Sequence, residues 1–471
     1  MKVKRNYQTV WMALFALALL LRLGLALVNR EANDNHLEAV RLILETRQLP
    51  VMHECRECFH PKLYYVTAAA LLAGFGVTGD PYQTVFLQCL NVYAGGLTLF
   101  VLYRFLKNEF GGPEPVKLLT FALVALNPKF IAINAQVSND TFAILFSTLA
   151  LFWMQRFLKT RAPGIFALSL LFSLFTVSTK ATGWVVFLAL WLGLLAAALW
   201  GTEKKQMAFY AALFLVAVLG LTALNPLAQF ATNLQKFGLP VVTRDQRLPL
   251  PGFFQPISHY KDYHFRPGIV SIQDGFLTFK LADLFVYPLT TNEQYNYPPH
   301  RTSFWTMLYA DANSLHFQNW PPSWGTQGTE NFAISRGIFI LALLPSLFFA
   351  AGFLLEVFLL LKALLTRHWD ELAAPGPLLF WLAGAGSLAF LMLASLLYRD
   401  FAFIKLVYSL PGLLAFTWLF QRSAERLFGW LTERFHPGLW LVSGWLIVLL
   451  GFYLWDVLAM IGQLYTINLH F

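Results

Sequence analysis

Residues Thr9–Val28 read TVWMALFALALLLRLGLALV, an apolar run broken by a single charge, Arg22. Its length suits one crossing of a ~30 Å hydrocarbon core, which takes about 20 residues as a helix. Backbone amides in lipid must bond within their own segment, and the run is too long for a barrel strand, so it reads as a helix. Similar runs recur to the C-terminus, near Tyr82–Phe105, Val116–Ile133, Asp140–Phe157, Gly164–Ser178, Trp184–Trp200, Met207–Leu224, Ala333–Leu361, Leu378–Leu397, Phe401–Phe420 and Leu439–Leu458. Together they predict an all-α polytopic membrane protein with about eleven transmembrane helices. The fifth and sixth runs are short and separated by the polar STKATG, residues 178–183, which fits tilted helices or a re-entrant turn.

Composition agrees. Of the 471 residues 57% are hydrophobic and only 13% charged, too few to cover a soluble protein of this length. The net charge of +9 would suggest nucleic acid in a soluble chain. Here position explains it, and no nucleic-acid partner is expected. With the N-terminus inside, every inner segment is basic: Lys2, Lys4 and Arg5; Arg104, Lys107 and Lys117; Arg156, Lys159 and Arg161; Lys204 and Lys205; Lys362 and Arg367; Arg422, Arg426 and Arg434. The bias of Lys and Arg toward the cytoplasmic side sets this orientation in a cell (inner) membrane. The basic start and apolar core of 1–28 resemble a secretory signal, but the many later runs favour an uncleaved first helix. The chain shows no internal repeat or inverted symmetry, which weakens a secondary-transporter reading.

Two long segments then fall outside, 29–81 and 225–332. They divide the chain into an N-terminal transmembrane catalytic module (1–224, including the first outer loop 29–81), an extracytoplasmic loop domain (225–332) and C-terminal transmembrane helices (333–471). The middle segment is rich in Tyr, Trp, Asn and Pro, as in YPLTTNEQYNYPPHRTSFW, and reads as packed rather than disordered. HPKLYYVTAAALLAGFG, from His60, holds an apolar run too short to span and reads as interfacial.

The outer side also collects the chemistry-bearing residues. Asp34, His36 and Glu38 follow the first run; Asn139 and Asp140 lie in the next outer loop, Lys180 in the third, and Arg399, Asp400 and Lys405 in the last. Carboxylates and cations meeting at headgroup depth suggest chemistry on a lipid phosphate.

These segments resemble the C-type integral-membrane glycosyltransferase superfamily, of the protein O-mannosyltransferase and aminoarabinose-transferase kind (glycosyltransferase family 39-like). The resemblance rests on NDNH (33–36), HPKLYY (60–65, similar to a PPLYY run), NPKFIAINAQVSNDTF (127–142) and IKLVYSLPG (404–412, similar to RYLLP). It covers roughly the first 200 residues and the region of the ninth and tenth runs. Two departures stand out: Asn35 follows Asp34 where relatives often carry two acids, and Lys62 replaces the second Pro. The resemblance implies a glycosyltransferase C fold and transfer of a sugar from a polyprenyl-phosphate donor to a lipid, glycan or protein acceptor. It implies catalytic roles for Asp34 and Asp140, and substrate contacts from His36, His60, Tyr64, Lys180, Arg399, Lys405 and Tyr408; Arg301 in PPHRTSFW, outside the resemblance, is a further substrate-contact candidate by its charge alone.

Physical chemistry is compatible with this. Such a transfer needs a base for the acceptor proton and cations, or a metal, for the departing phosphate. Plainer roles stand beside these. Asp34 suits a cap for HLEAVRLILE and Asp140 a cap for the fourth run. Lys405 and Arg399 suit interfacial snorkelling. In HECRECFH (53–60), Cys55 and Cys58 can pair as a disulfide, stay as thiols, or join two His in a metal site. The resemblance also implies room for a divalent metal ion near the first loop, held by an acid and a His drawn from His53, Glu54, Glu57 and His60. Two rivals of other classes are a flippase or transporter for a lipid-linked glycan and a non-catalytic assembly protein for an envelope glycan.

Overall fold

The structure is a computed structural model that describes residues 2–32, 35–51, 54–238, 272–286, 303–313, 330–369, 374, 376–397 and 405–469. Among them there is no strand. The helices are α1 Lys2–Val28, α2 His36–Thr46, α3 Leu63–Gly74, α4 Asp80–Glu109, α5 Glu114–Ala125, α6 Pro128–Asn134, α7 Asp140–Thr160, α8 Pro163–Thr179, α9 Gly183–Trp200 and α10 Lys204–Leu224. They continue with α11 Phe230–Phe237, α12 Ile272–Phe276, α13 Leu281–Val286, α14 Phe304–Asn313, α15 Glu330–Leu341, α16 Leu343–Leu365, α17 Pro377–Leu397, α18 Leu413–Arg434 and α19 His436–Leu469.

Among the described residues eight helical spans are long and apolar enough to cross a membrane, or nine when the bent pair α5–α6 counts as one. Three of the eleven expected runs account for the difference. The run near Val116–Ile133 is broken by 53° between Glu114–Ala125 and Pro128–Asn134. Pro128 lacks the amide that would continue α5, and Asn127 ahead of it takes an extended backbone and caps α6 by accepting from Phe130 N at 3.0 Å. The fifth run forms α8, an apolar helix of 17 residues, shorter than a comfortable span. The run near Phe401–Phe420 is displaced: residues 405–412 form two 3-10 turns, and α18 starts only at Leu413 and ends at Arg434. Pro411 and Gly412 sit where that helix begins, and its stretch from Arg422 onward carries Arg422, Glu425, Arg426, Glu433 and Arg434.

The largest apolar cluster joins α1, α4 to α10, α17, α18 and α19. Small residues allow close approach where helices cross. A Cβ on Gly352 of α16 would lie 2.1 Å from the carbonyl oxygen of Leu419 in α18, so only Gly fits. A second cluster caps one end of the bundle, where Leu37 and Val40 of α2 and Tyr64, Tyr65 and Leu72 of α3 pack on Leu87 of α4 and Phe142 of α7. From 225–332, α13 and α14 share clusters with the membrane helices: Leu284 and Tyr309 pack with Phe339 and Tyr453, and Phe304 and Met307 pack with Leu391.

Isolated charges inside the bundle find partners. Arg22 is fully buried and donates to Asn134 Oδ1 at 2.8 Å and to the Ala18 and Ala125 carbonyls at 2.9 and 2.7 Å. The Ala125 carbonyl lies at the break between α5 and α6, so Arg22 supplies the donor that a continuous helix would have supplied. Glu356 is buried and accepts from Arg422 at 3.1 Å.

Candidate functional site

The end of the bundle capped by α2 and α3 brings together the exit of α1, the start of α7, the end of α8 and the turn ahead of α18. The exit of α1 is tied to the turn before α7: Asn29 Nδ2 donates to Ala135 O at 3.0 Å, and Val137 N to Ala32 O at 3.3 Å. Gln88 of α4 holds the Glu31 carbonyl at 2.8 Å. Asp34, His53, Arg301 and Arg399, all expected site residues, lie outside the described residues, as does Asp400. Ala32 and Asn35, which flank positions 33–34, line an open groove of about 1190 Å³ whose walls carry Arg30, Glu38, Arg41 and Arg56.

Asp140 is the first residue of α7, one position inside its cap residue Asn139. Its carboxylate accepts from Lys180 Nζ and from Ser138 Oγ, the latter at 2.6 Å. Lys180 closes the C-terminus of α8, is 5% exposed, and lies 5.1 Å from the centre of the Tyr408 ring. Tyr408 belongs to the 3-10 turn Leu406–Tyr408 that follows Lys405, and both residues are half-buried. Asp140, Lys180 and Tyr408, which the sequence places in three separate outer loops, are thus in direct succession.

A second pair stands behind that turn. Lys129 of α6 and Asp311 of α14 form a buried ion pair at 2.6 Å, and Asp311 also accepts from Leu406 N at 2.6 Å. Lys129 lies within electrostatic reach of both Lys405 and Asp140. Neither Lys129 nor Asp311 was among the expected site residues. The sequence carried a hint of each: a lone ionisable residue in an apolar helical stretch is usually paired or functional.

The first-loop residues form the third part. Cys55 and Cys58 are joined in a disulfide. The turn it closes carries Glu57, 7% exposed, whose carboxylate lies 3.4 Å from His60 Nε2 and 3.6 Å from Arg56 Nε. His36, the first residue of α2, is buried, stacks on His60 at 5.7 Å between ring centres, and shares a 2.6 Å hydrogen bond between its Nδ1 and Tyr65 Oη. Tyr65 Oη also reaches the Glu57 carbonyl at 3.5 Å. One donor atom from each of His36, Glu57 and His60 falls within 4.8 Å of the others, a set able to hold a metal ion. Glu57, not Glu54, is therefore the acid beside His60: Glu54 is exposed and accepts from Val51 N at 2.7 Å.

Burial governs protonation here. It holds the His60 imidazole down at about 4, against the hydrogen bond with Glu57. It brings the Lys62 ammonium down to about 7, against a weaker pull from Glu54. Lys62 is fully buried, donates its Nζ to the Cys58 carbonyl and its main-chain N to Leu227 O at 2.6 Å, and so laces the disulfide turn to the segment after α10. Tyr64 is buried edge-on against Phe142 at 5.3 Å.

No protein-family model matches the sequence, and no curated protein matches it. Several solved structures are similar to the chain. An archaeal oligosaccharyltransferase, AglB from Archaeoglobus fulgidus, in complex with an inhibitory peptide and a dolichol-phosphate, aligns with 97% of this chain at 12% identity and a TM-score of 0.47. The A. fulgidus oligosaccharyltransferase in its apo form aligns with 97% at 11% identity and a TM-score of 0.47. This chain spans 56% of the length of each. ArnT from Cupriavidus metallidurans, bound to undecaprenyl phosphate, aligns with 90% of this chain and 79% of its own at 13% identity and a TM-score of 0.35.

Proposed function

We propose that the protein transfers a sugar from a polyprenyl-phosphate-linked donor to an acceptor at the outer face of the membrane. The observation that carries this reading is the convergence of Lys180, Lys405 and Lys129 with Asp140 at one end of an apolar helical bundle. Ammonium groups fixed beside low-dielectric lipid stabilise the charge that develops on a departing phosphate. Phosphate leaves without a general acid, so one base and a cationic cluster are a sufficient set.

Asp140 is already engaged by Lys180 and Ser138, so its role in this proposal is to aim the Lys180 ammonium. That leaves Asp34 as the general base for the acceptor proton. A base on the face opposite the leaving group gives inversion at the sugar carbon. Arg301 and Arg399 add phosphate contacts, and Tyr408 presents its ring to Lys180. The basic inner segments support a cytoplasmic N-terminus in the inner membrane and an extracytoplasmic site.

The test is donor consumption by the detergent-purified protein with a synthetic polyprenyl-phosphate sugar and a hydroxyl acceptor. Detergent solution has no two sides, so a flippase or an assembly protein gives no product. Turnover by the wild type, lowered ~10²–10⁴-fold in Asp34→Asn, is the expected result, since an Asn keeps the shape without the base. Donor that binds and is never consumed overturns the reading.

A further inference from the structure

Asp311 joins three elements that the sequence keeps far apart. It lies near the C-terminus of α14, is 2% exposed, and each carboxylate oxygen has its own partner. Oδ1 accepts from Lys129 Nζ of α6 and Oδ2 from Leu406 N, both at 2.6 Å. The Leu406 amide opens the 3-10 turn Leu406–Tyr408, so it has no partner inside that turn, and leaving such an amide unpaired away from water is costly. The turn also rests on α14 through its side chains. Leu406 and Tyr408 pack against the cluster that Phe304, Met307 and Leu308 form with Leu391 of α17. This end of α14 is itself pinned: Asn127 Nδ2 donates to Ala312 O at 2.9 Å, and Tyr453 Oη of α19 donates to Asn313 Oδ1 at 2.6 Å.

Stability alone does not account for the ion pair. Replacing a whole buried pair by apolar residues is often neutral, so an apolar pair would join α6 to α14 about as well. An apolar residue at 311 could not hold the Leu406 amide.

We propose that Asp311 is a positioning residue for the donor phosphate: through the Leu406 amide it sets where Lys405 and Tyr408 stand in the site, and Lys129 aims it.

The proposal rests on the transfer reading for the phosphate, and adds that a helix of the outer segment 225–332 governs the turn that meets it. The turn closes on itself, with Ser409 N and Ser409 Oγ both donating to Leu406 O at 2.8 Å, so it keeps its shape without Asp311. Its anchorage is what changes. Lys405 precedes the held amide, and the Tyr408 ring, two residues after it, lies 5.1 Å from the Lys180 ammonium. Release of the amide lets Lys405 and Tyr408 drift from Lys180 together, and a misplacement of about 1 Å can cost ~10²-fold where oriented groups do the work. Both oxygens of Asp311 are engaged, so it acts through the turn and not on the substrate.

The experiment uses detergent-purified full chain and two readouts: hydrogen exchange of the segment 405–410, and the dissociation constant for undecaprenyl phosphate. Asp311→Ala is expected to speed exchange ~10-fold or more and to weaken undecaprenyl phosphate ~10–100-fold, the worth of a hydrogen bond to a charged group. Two double variants separate this from a bracing role. Lys129→Met with Asp311→Asn, and Lys129→Met with Asp311→Leu, both remove the buried charges and differ in whether position 311 offers Leu406 an acceptor. The Asn double is expected to bind ~3–10-fold more tightly than the Leu double and to exchange more slowly at 405–410. Equal binding by the two doubles overturns the proposal, because the pair then only braces α6 against α14. Unchanged exchange at 405–410 in Asp311→Ala, with phosphate still bound by the wild type, overturns the proposal alone. A wild type that neither binds undecaprenyl phosphate nor consumes donor overturns the transfer reading and this proposal with it.

Discussion

The Asp140–Lys180 pair makes a quantitative claim. The two side chains are 13% and 6% exposed, so neither charge is left in bulk water when the other is removed. Asp140→Asn keeps the shape and one acceptor oxygen but leaves a buried ammonium facing the Tyr408 ring, 5.1 Å away. The contact with the tyrosine face is already present beside the intact pair and offsets none of the loss, so breaking the buried pair costs ~3–5 kcal/mol. Lys180→Met leaves a carboxylate that still accepts from Ser138 at 2.6 Å, so its cost is smaller, about 1–2 kcal/mol. The double variant removes both charges and should fall within about 1 kcal/mol of the wild type, because apolar replacement of a whole buried pair is often neutral. The assay is a double-mutant cycle by reversible chemical unfolding in micelles. Coupling of ~2 kcal/mol or more is expected. Single-variant losses that simply add, within about 0.5 kcal/mol, would show that the two groups act independently and that Asp140 does not hold Lys180.

Two further outcomes are expected. Gly352→Ala must displace the α16–α18 contact, because its methyl would sit 2.1 Å from the Leu419 carbonyl; a thermal midpoint lowered by a loss of about 1–3 kcal/mol is expected, and an unchanged midpoint refutes the close packing. Lys62 titrates at about 7 in the fold and at 10.5 in the unfolded chain, so between these values the unfolded chain holds one more proton and stability rises with pH, by up to ~1.4 kcal/mol per unit. Lys62→Met should flatten that limb of the stability profile of chelator-washed protein, and a limb that stays steep assigns it to another group.

The helical membrane class was legible because crossing length is a one-dimensional property: Thr9–Val28 can be read without knowing its neighbours. Boundaries were less legible where hydrophobicity ran past a backbone constraint. Asn127-Pro128 breaks a run that looks continuous from Val116 to Ile133, and Pro411-Gly412 marks the start of α18 in a run that looks helical from Phe401. At the site, Asp140, Lys180 and Lys405 were visible as charges interrupting apolar sequence. The Lys129–Asp311 pair was not, since its partners are 182 positions apart and neither stretch of sequence points to the other. Glu57 was overshadowed by the Cys and His residues around it, and only folding the turn selects it over Glu54.

Arg22 constrains how the chain is made. It enters the membrane within the first helix, but its acceptors at Ala125 and Asn134 lie 103 and 112 residues further along. A central arginine costs ~2.5–3.5 kcal/mol during insertion. The rest of that segment is apolar enough to carry it across. While the ribosome adds the next hundred residues, the guanidinium has only the Ala18 carbonyl of its own helix within reach. The first helix thus waits in the bilayer as an unfinished socket, and release of the bent α5–α6 segment from the translocon is the moment at which the nascent bundle acquires a lasting reason to hold together.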